Sequence, residues 1–284
     1  MSENKCKGES DVHQTIIVCE KVYVIKRTCT HLYLIDQSKD IYFTMNIFDG
    51  IIREVKAHVD NKKNYMPHKS IKSRETMTWP KSHRNEIVLL PDLAIELGSP
   101  DNASVSFLNW TQDNGLIHDG QITIIGPDIN ETNEKKLPFG KIVMLGVSGF
   151  NEKNAFDRNR ELFLSKFDIS LKGFMIKSAS QYMAEWCRIS KEAVQNNFSF
   201  GVLGNALINE LKKFDYVKSV EIVFITSSND DVNALFDMGN RTVRTISAMS
   251  KMVNGMRYDC TECEYQDVCN DADELKALRR SLIK

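Results

Sequence analysis

Three cysteines fall within ten residues, Cys260, Cys263 and Cys269, in the pattern C-x2-C-x5-C. The C-x2-C half lets two thiolates reach one ion or cluster from a single turn. The surrounding segment is acidic, with Asp259, Glu262, Glu264, Asp267, Asp271 and Asp273. Negative neighbours raise thiol pKa values, so three thiolates there are costly without a bound cation. The segment therefore holds either protonated thiols or a metal, and Cys260, Cys263 and Cys269 are the candidate metal ligands. An iron–sulfur cluster is the leading expectation; metal-free reduced thiols and a structural zinc are the others. Three ligands are one short of a closed tetrahedral site. The fourth is left open among another cysteine, a carboxylate, a histidine and an external molecule. The third cysteine is expected just ahead of a helix opened by Asp271-Ala272-Asp273-Glu274, a capping-box pattern, with Leu275, Leu278 and Leu282 as its apolar stripe.

The other reactive residue types carry less. Seven cysteines, an odd number, argue against a disulfide framework in a chain read as cytosolic. Cys187, beside Trp186, reads as a core thiol. The six histidines never pair at helical spacing, so a His-based metal site has no support. Gly201 and Gly204 open a helix, where packing is a better reading than phosphate binding. Asp230-Asp231 is read as the cap of the helix that follows. Residues 61–84 are basic and carry Pro67 and Pro80; a solvated loop is expected there rather than a phosphate site. No catalytic or cofactor-binding residue is identified.

The elements that must position the cysteines change character along the chain. Before about residue 150 the apolar residues favour strands: residues 15–25, 31–35, 41–47, 86–90, 94–97, 103–110, 121–125 and 141–147. The stretch 103–110 alternates as a half-buried strand does, and Asp49-Gly50 signals a hairpin turn. After that point helices are expected at 159–167, at 172–186 with Ile176, Ala179, Met183 and Trp186 on one face, at 200–214 and at 240–253. Ser190 is a helix N-cap with Glu192 in the first turn, and the apolar run 217–226 is a buried strand. The fold class is α+β, with a sheet-rich first half, a helix-rich second half and at least one buried strand.

The chain has 284 residues, 42% apolar and 26% charged, with a formal net charge of -1. That near-neutral balance leaves no electrostatic footprint for nucleic acid or an anionic membrane. No apolar run approaches a membrane span, and residues 1–11 do not read as a targeting peptide. A cytoplasmic location is expected, with neither nucleic acid nor membrane as partner.

Several stretches resemble the beta (acetyl-CoA synthase) subunit family of the carbon monoxide dehydrogenase/acetyl-CoA synthase complex. Residues 120–129, Gly-Gln-Ile-Thr-Ile-Ile-Gly-Pro-Asp-Ile, are similar to its "DGKVELIGPDI" segment, and residues 188–194, Arg-Ile-Ser-Lys-Glu-Ala-Val, to its "RISKEAV". Upstream, residues 74–77 and 96–100 are similar to pieces of the preceding stretch. The helix at 201–214 and the strand at 217–226 resemble a helix and strand that follow there in the same order. The resemblance covers roughly residues 51–231. It implies a middle domain followed by a four-cysteine [4Fe-4S] cluster bridged to nickel, with a second nickel held by Cys-Gly-Cys. Cys260 and Cys263 match the start of that cluster, and Cys269 sits at a shorter spacing than its third ligand. The sequence contains no Cys-Gly-Cys, so a nickel site is not supported, and this chain alone is expected to be inactive as an acetyl-CoA synthase.

Three regions follow: a strand-rich segment at 1–50, a middle-domain-like region at 51–254, and the cysteine segment with a C-terminal helix at 255–284. The resemblance implies anaerobic one-carbon (methyl, CO or corrinoid) metabolism. A corrinoid or methyltransferase protein, or other subunits of a carbon monoxide dehydrogenase-like complex, are the implied partners. Whether the chain is itself an enzyme is left open. The readings are an accessory or diverged metal protein, an acetyl-CoA synthase-type transferase acting with a partner subunit, and a non-catalytic assembly module.

Overall fold

The computed structural model describes residues 13–18, 21–27, 32–36, 46–82, 86–180, 183–253, 263–271 and 275. The chain divides into two units, Met1–Thr44 and Met45–Lys284. In the first, β1 (His13–Val18), β2 (Lys21–Arg27) and β3 (Leu32–Asp36) form an antiparallel meander. The single strand expected at 15–25 is thus shared between β1 and β2, which pair with each other.

The second unit opens with α1 (Asp49–Lys63), β4 (His68–Lys72), β5 (Leu93–Leu97), β6 (Ser104–Thr111), β7 (Gln121–Ile125), β8 (Lys136–Leu137) and β9 (Phe139–Val147). It continues through α2 (Ala155–Leu164), β10 (Phe174–Ala179), β11 (Glu185–Ser190), α3 (Lys191–Gln195) and α4 (Phe200–Leu211). β12 (Val217–Ile225), α5 (Asn229–Asn233), α6 (Phe236–Val253) and α7 (Gln266–Asp271) follow. The class is α+β, with most strands early and the longer helices mostly late.

A five-stranded mixed sheet, order β4-β7-β12-β9-β6, forms the centre. β12 runs parallel to β7 and antiparallel to β9. β6 was expected to be half-buried, yet nearly every residue in it is buried. The reason is that both faces are covered. Gly239 of α6 lies against Val105 and Phe107, and Thr242 of α6 donates to Asn109 at 2.9 Å. The opposite face carries Ser106, bonded to Glu185, and Trp110, bonded to Asn159 of α2. A second sheet, order β10-β11-β5-β8, packs beside the first.

Two expected elements are replaced. The hairpin at Asp49-Gly50 is instead the start of α1. Ile51, Ile52, Val55 and Val59 are buried at helical spacing, and Asp49 sits in the first turn, where the helix dipole favours a carboxylate. A Cβ on Gly50 would meet nothing within 4 Å, so no turn geometry demands glycine there. The helix expected at 172–186 is the β10–β11 hairpin. Burial in β11 has period two: Glu185, Cys187 and Ile189 are buried between half-buried Trp186, Arg188 and Ser190. The helical spacing of Ile176, Ala179, Met183 and Trp186 was coincidental, and sheet pairing to β5 decides the matter.

Smaller differences follow the same logic. Residues 86–89 form no strand and lead into a 3-10 turn, Leu90–Asp92. Within the basic stretch 61–84, β4 pairs with β7 as an exposed edge strand. The helix expected at 159–167 starts earlier, at Ala155, and ends in a 3-10 turn, Ser165–Asp168. Ser190 does cap α3, accepting from the Ala193 N–H at 3.2 Å, and β12 is the buried strand expected. No helix among the described residues is long and apolar enough to cross a membrane.

The start of α4 is held by the buried Asp128, whose Oδ1 accepts from the Phe200 N–H at 2.8 Å and the Ile129 N–H at 2.7 Å. Burial pushes this carboxyl above its ordinary pKa, and the two N–H donors only partly offset that. Asp128→Ala leaves both buried donors without their acceptor. It is expected to lower the free energy of unfolding by about 1–3 kcal/mol, read as a reduced urea midpoint at unchanged slope.

Candidate functional site

The described part of the cysteine segment is a short turn and helix lying on α6. Cys263 is half-buried, and its carbonyl accepts from the Gln266 N–H at 3.1 Å. Cys269 lies inside α7, buried, its N–H donating to the Tyr265 carbonyl at 3.0 Å. It was expected ahead of a helix beginning at Asp271. The turn begins earlier because Val268, Cys269 and Leu275 bury themselves in the core. The segment thus has more to bury than its polar sequence indicates. Cys260 and most of the expected final helix lie outside the described residues.

α6 supplies cations to this acidic stretch. Arg244 donates to the Glu264 carbonyl and to Asp267 Oδ1, each at 2.6 Å. Lys251 Nζ donates to Glu264 Oε1 at 2.5 Å and lies 4.2 Å from the Tyr265 ring centre. The Lys251 hydrogen bond holds the Glu264 carboxyl below its ordinary pKa. Two of the acids counted against thiolate formation are therefore already neutralised, which eases the field at the cysteines. Among the described residues no three His, Cys, Asp or Glu side chains converge on a metal-sized site. The donor type still suits iron–sulfur or zinc, both of which take thiolate ligands.

A second cluster was not anticipated. Glu185 of β11, 1% exposed, takes Lys141 Nζ of β9 on Oε1 at 2.6 Å and the Ser106 hydroxyl of β6 on Oε2 at 3.0 Å. Lys166, from the turn after α2, approaches Oε1 at 3.5 Å, with its ammonium 3.8 Å from the Phe163 ring centre. Burial alone would raise the Glu185 carboxyl, but Lys141 and Lys166 outweigh it and hold it below its ordinary value. Burial pushes the Lys166 amine down. Cys187, beside them, has its thiol pushed far up by burial and then by Glu185, so it is the inert core thiol expected, although on a strand. Sequence offered a faint signal: Lys141 is the one charge within an otherwise apolar strand.

The glycines at the start of α4 serve packing, as expected. A Cβ on Gly204 would meet Ile122 at 2.9 Å, and Asp128 already fills the anion position at that helix start. Ser228 caps α5, not Asp230 or Asp231. Asp231 lies in the first turn, where it accepts from Ser227 and Ser228 and pairs with Lys62 of α1. In the basic stretch, Lys69 pairs with Glu131 and Lys72 donates to the Asp119 carbonyl. Those cations are thus engaged within the fold.

Residues 77–231, over half of the chain, match the family model of the CO dehydrogenase/acetyl-CoA synthase complex beta subunit. The chain belongs to this family. The match covers α4, β12 and all of the Glu185 cluster, and it stops before the cysteine segment. The chain is similar to the carbon monoxide dehydrogenase/acetyl-CoA synthase subunit alpha of Moorella thermoacetica, 26% identical over 197 residues, which is 69% of this chain and 25% of that one. It is similar to the acetyl-CoA decarbonylase/synthase complex subunit beta of Methanopyrus kandleri, 27% identical over 52% of this chain and 31% of the relative. Subunit beta 1 of Methanosarcina mazei is 24% identical over 60% of this chain and 36% of its own length. The chain thus spans only a quarter to about a third of these relatives. What is common to the family and this chain is the folded middle region, including the segment 188–194 in β11 and α3.

Proposed function

We propose that this chain is an accessory or diverged member of its family, working in one-carbon metabolism and carrying a cysteine-ligated metal centre at Cys260, Cys263 and Cys269. The observation that carries this reading is the family match over the folded region, joined in sequence to a thiol-rich turn that α6 pins by Arg244 and Lys251. An iron–sulfur cluster is the centre assigned. It would supply an electron-carrying or ligand-binding group, while Arg244 and Lys251 orient the turn and offset its acidic charge. Other subunits of a carbon monoxide dehydrogenase-like complex are its partners, with a corrinoid or methyltransferase protein meeting the middle region. Catalysis of acetyl-CoA formation by this chain alone is not part of the proposal.

A second reading, an assembly module with structural zinc or plain thiols, draws on the burial of Cys269. The test is anaerobic purification followed by iron, sulfide, nickel and zinc analysis, with Cys263→Ser alongside. Stoichiometric iron and sulfide in the wild type, reduced at least several-fold in the variant, is the expected result. Zinc alone, lost in the variant, moves the chain to the assembly reading. No stoichiometric metal in either protein makes these ordinary thiols and ends the metal proposal.

A further inference from the structure

Ile87, Leu89 and Leu90 are 69%, 57% and 69% exposed, three large apolar side chains within four residues. They stand on a segment with no strand pairing, where side chains of this size have no local reason to face water. The segment is not loosely held. Glu86 Oε1 accepts from the Gly173 N–H at 2.7 Å, the Val88 N–H donates to Met175 Sδ at 3.4 Å, and Lys191 Nζ donates to the Pro91 carbonyl at 2.8 Å. Val88 is buried beneath. The ridge is therefore fixed in place while its outer side chains stay uncovered. Against Met175 and Ile176 of β10 it forms an open groove of about 610 Å³.

The groove has few converging polar groups, unlike a small-molecule site, where several fix the ligand's orientation. Contiguous exposed apolar surface rimmed by polar groups is the character of an interaction surface. Of the two cations lining the groove, Arg188 pairs with Glu96 at 2.8 Å. Lys177 is exposed, sits 5.7 Å from the Trp186 ring centre, and has no carboxylate partner among the described residues. One cation without a carboxylate partner thus lines an apolar groove, and a carboxylate carried by an apolar segment complements both. The similar chains are named as subunits of complexes, so a partner chain is the source assigned to such a segment.

We infer that the groove between residues 87–90 and β10 docks an extended apolar segment of a partner protein, with an acidic side chain of that segment placed against Lys177. This surface is distinct from the cysteine segment, and its test does not depend on any metal.

The test uses the full chain and three fluorescein-labelled twelve-residue peptides, read by fluorescence anisotropy. One alternates leucine and isoleucine with glutamate, one replaces glutamate by lysine, and one replaces the apolar residues by serine. The glutamate peptide is expected to bind at least tenfold more tightly than the other two. Leu89→Asp is expected to weaken it at least tenfold, and Lys177→Glu to reverse the preference in favour of the lysine peptide. Both substitutions are at exposed positions, and unchanged thermal midpoints establish that the variants are folded. Equal affinities for the three peptides, no measurable binding, or a preference unmoved by Lys177→Glu overturns the proposal. A wild-type dimer in light scattering that Leu89→Asp converts to monomer assigns the groove to a second copy of this chain and overturns it as well.

Discussion

Glu185→Ala is expected to destabilise the fold by about 3–5 kcal/mol, the range for removing one partner of a buried ion pair. The carboxylate is the sole anion bonded to Lys141 in the described network and the one that Lys166 faces. Without it, two ammonium groups remain in a site lined by Phe139, Ile169, Phe174 and Leu203. The double variant Glu185→Leu/Lys141→Met removes both the charge and its main partner. It is expected to recover much of the loss, because apolar replacement of a buried pair is often near neutral. Urea unfolding of wild type, single and double variants decides this. A single-variant cost under about 1 kcal/mol would show that the network is hydrated and weak.

The same cluster sets a pH dependence. Glu185 is held below its ordinary value, so its contribution is complete above the unfolded carboxylate pKa, about 4.3, and is lost as pH falls through the lower folded value. Lys166 is pushed down by burial. Between its folded value and about 10.4 the unfolded chain holds a proton that the native chain lacks, so stability rises with pH there as well. Asp128, pushed up by burial, acts in the opposite sense just above pH 4. The difference between wild type and Glu185→Gln isolates the cluster, and it is expected to shrink as the medium is acidified.

Trp110→Ala is the second large expected loss, about 3–5 kcal/mol. Trp110 is fully buried, edge-on to Phe48 with ring centres 5.3 Å apart, and 4.5 Å from the Phe150 ring centre. Its Nε1 donates to Asn159 Oδ1 of α2 at 3.2 Å. One side chain therefore joins the start of α1, β6, the end of β9 and α2. Removing it opens a cavity and leaves the buried Asn159 oxygen without its donor. Trp110→Phe keeps most of the apolar volume and is expected to cost about half as much or less. Thermal and urea midpoints of the two variants measure the contrast; equal costs would mean that the hydrogen bond, not the volume, dominates.

By itself the sequence determined the α+β class, β7, β9 and β12 as strands, α4 as a helix, and the Ser190 cap. In each case the local pattern and the tertiary demand agree: a continuous apolar run for a strand covered on both faces, and a helical stripe with a side-chain cap. It also carried the family, because residues 120–129 and 188–194 lie in the matched core. Only the tertiary structure decided α1 against a hairpin, and the β10–β11 hairpin against a helix. Asp49-Gly50 is compatible with a turn or a helix start, and burial of Ile51, Ile52, Val55 and Val59 selects the helix. Residues 172–186 carry apolar side chains at helical spacing, but pairing of β11 with β5 places Cys187 and Ile189 in the core with period two. The Glu185 cluster was illegible for the same reason. Lys141, Lys166, Glu185 and Ser106 come from four separate stretches of chain, and their proximity exists only once the two sheets and the turn after α2 have packed.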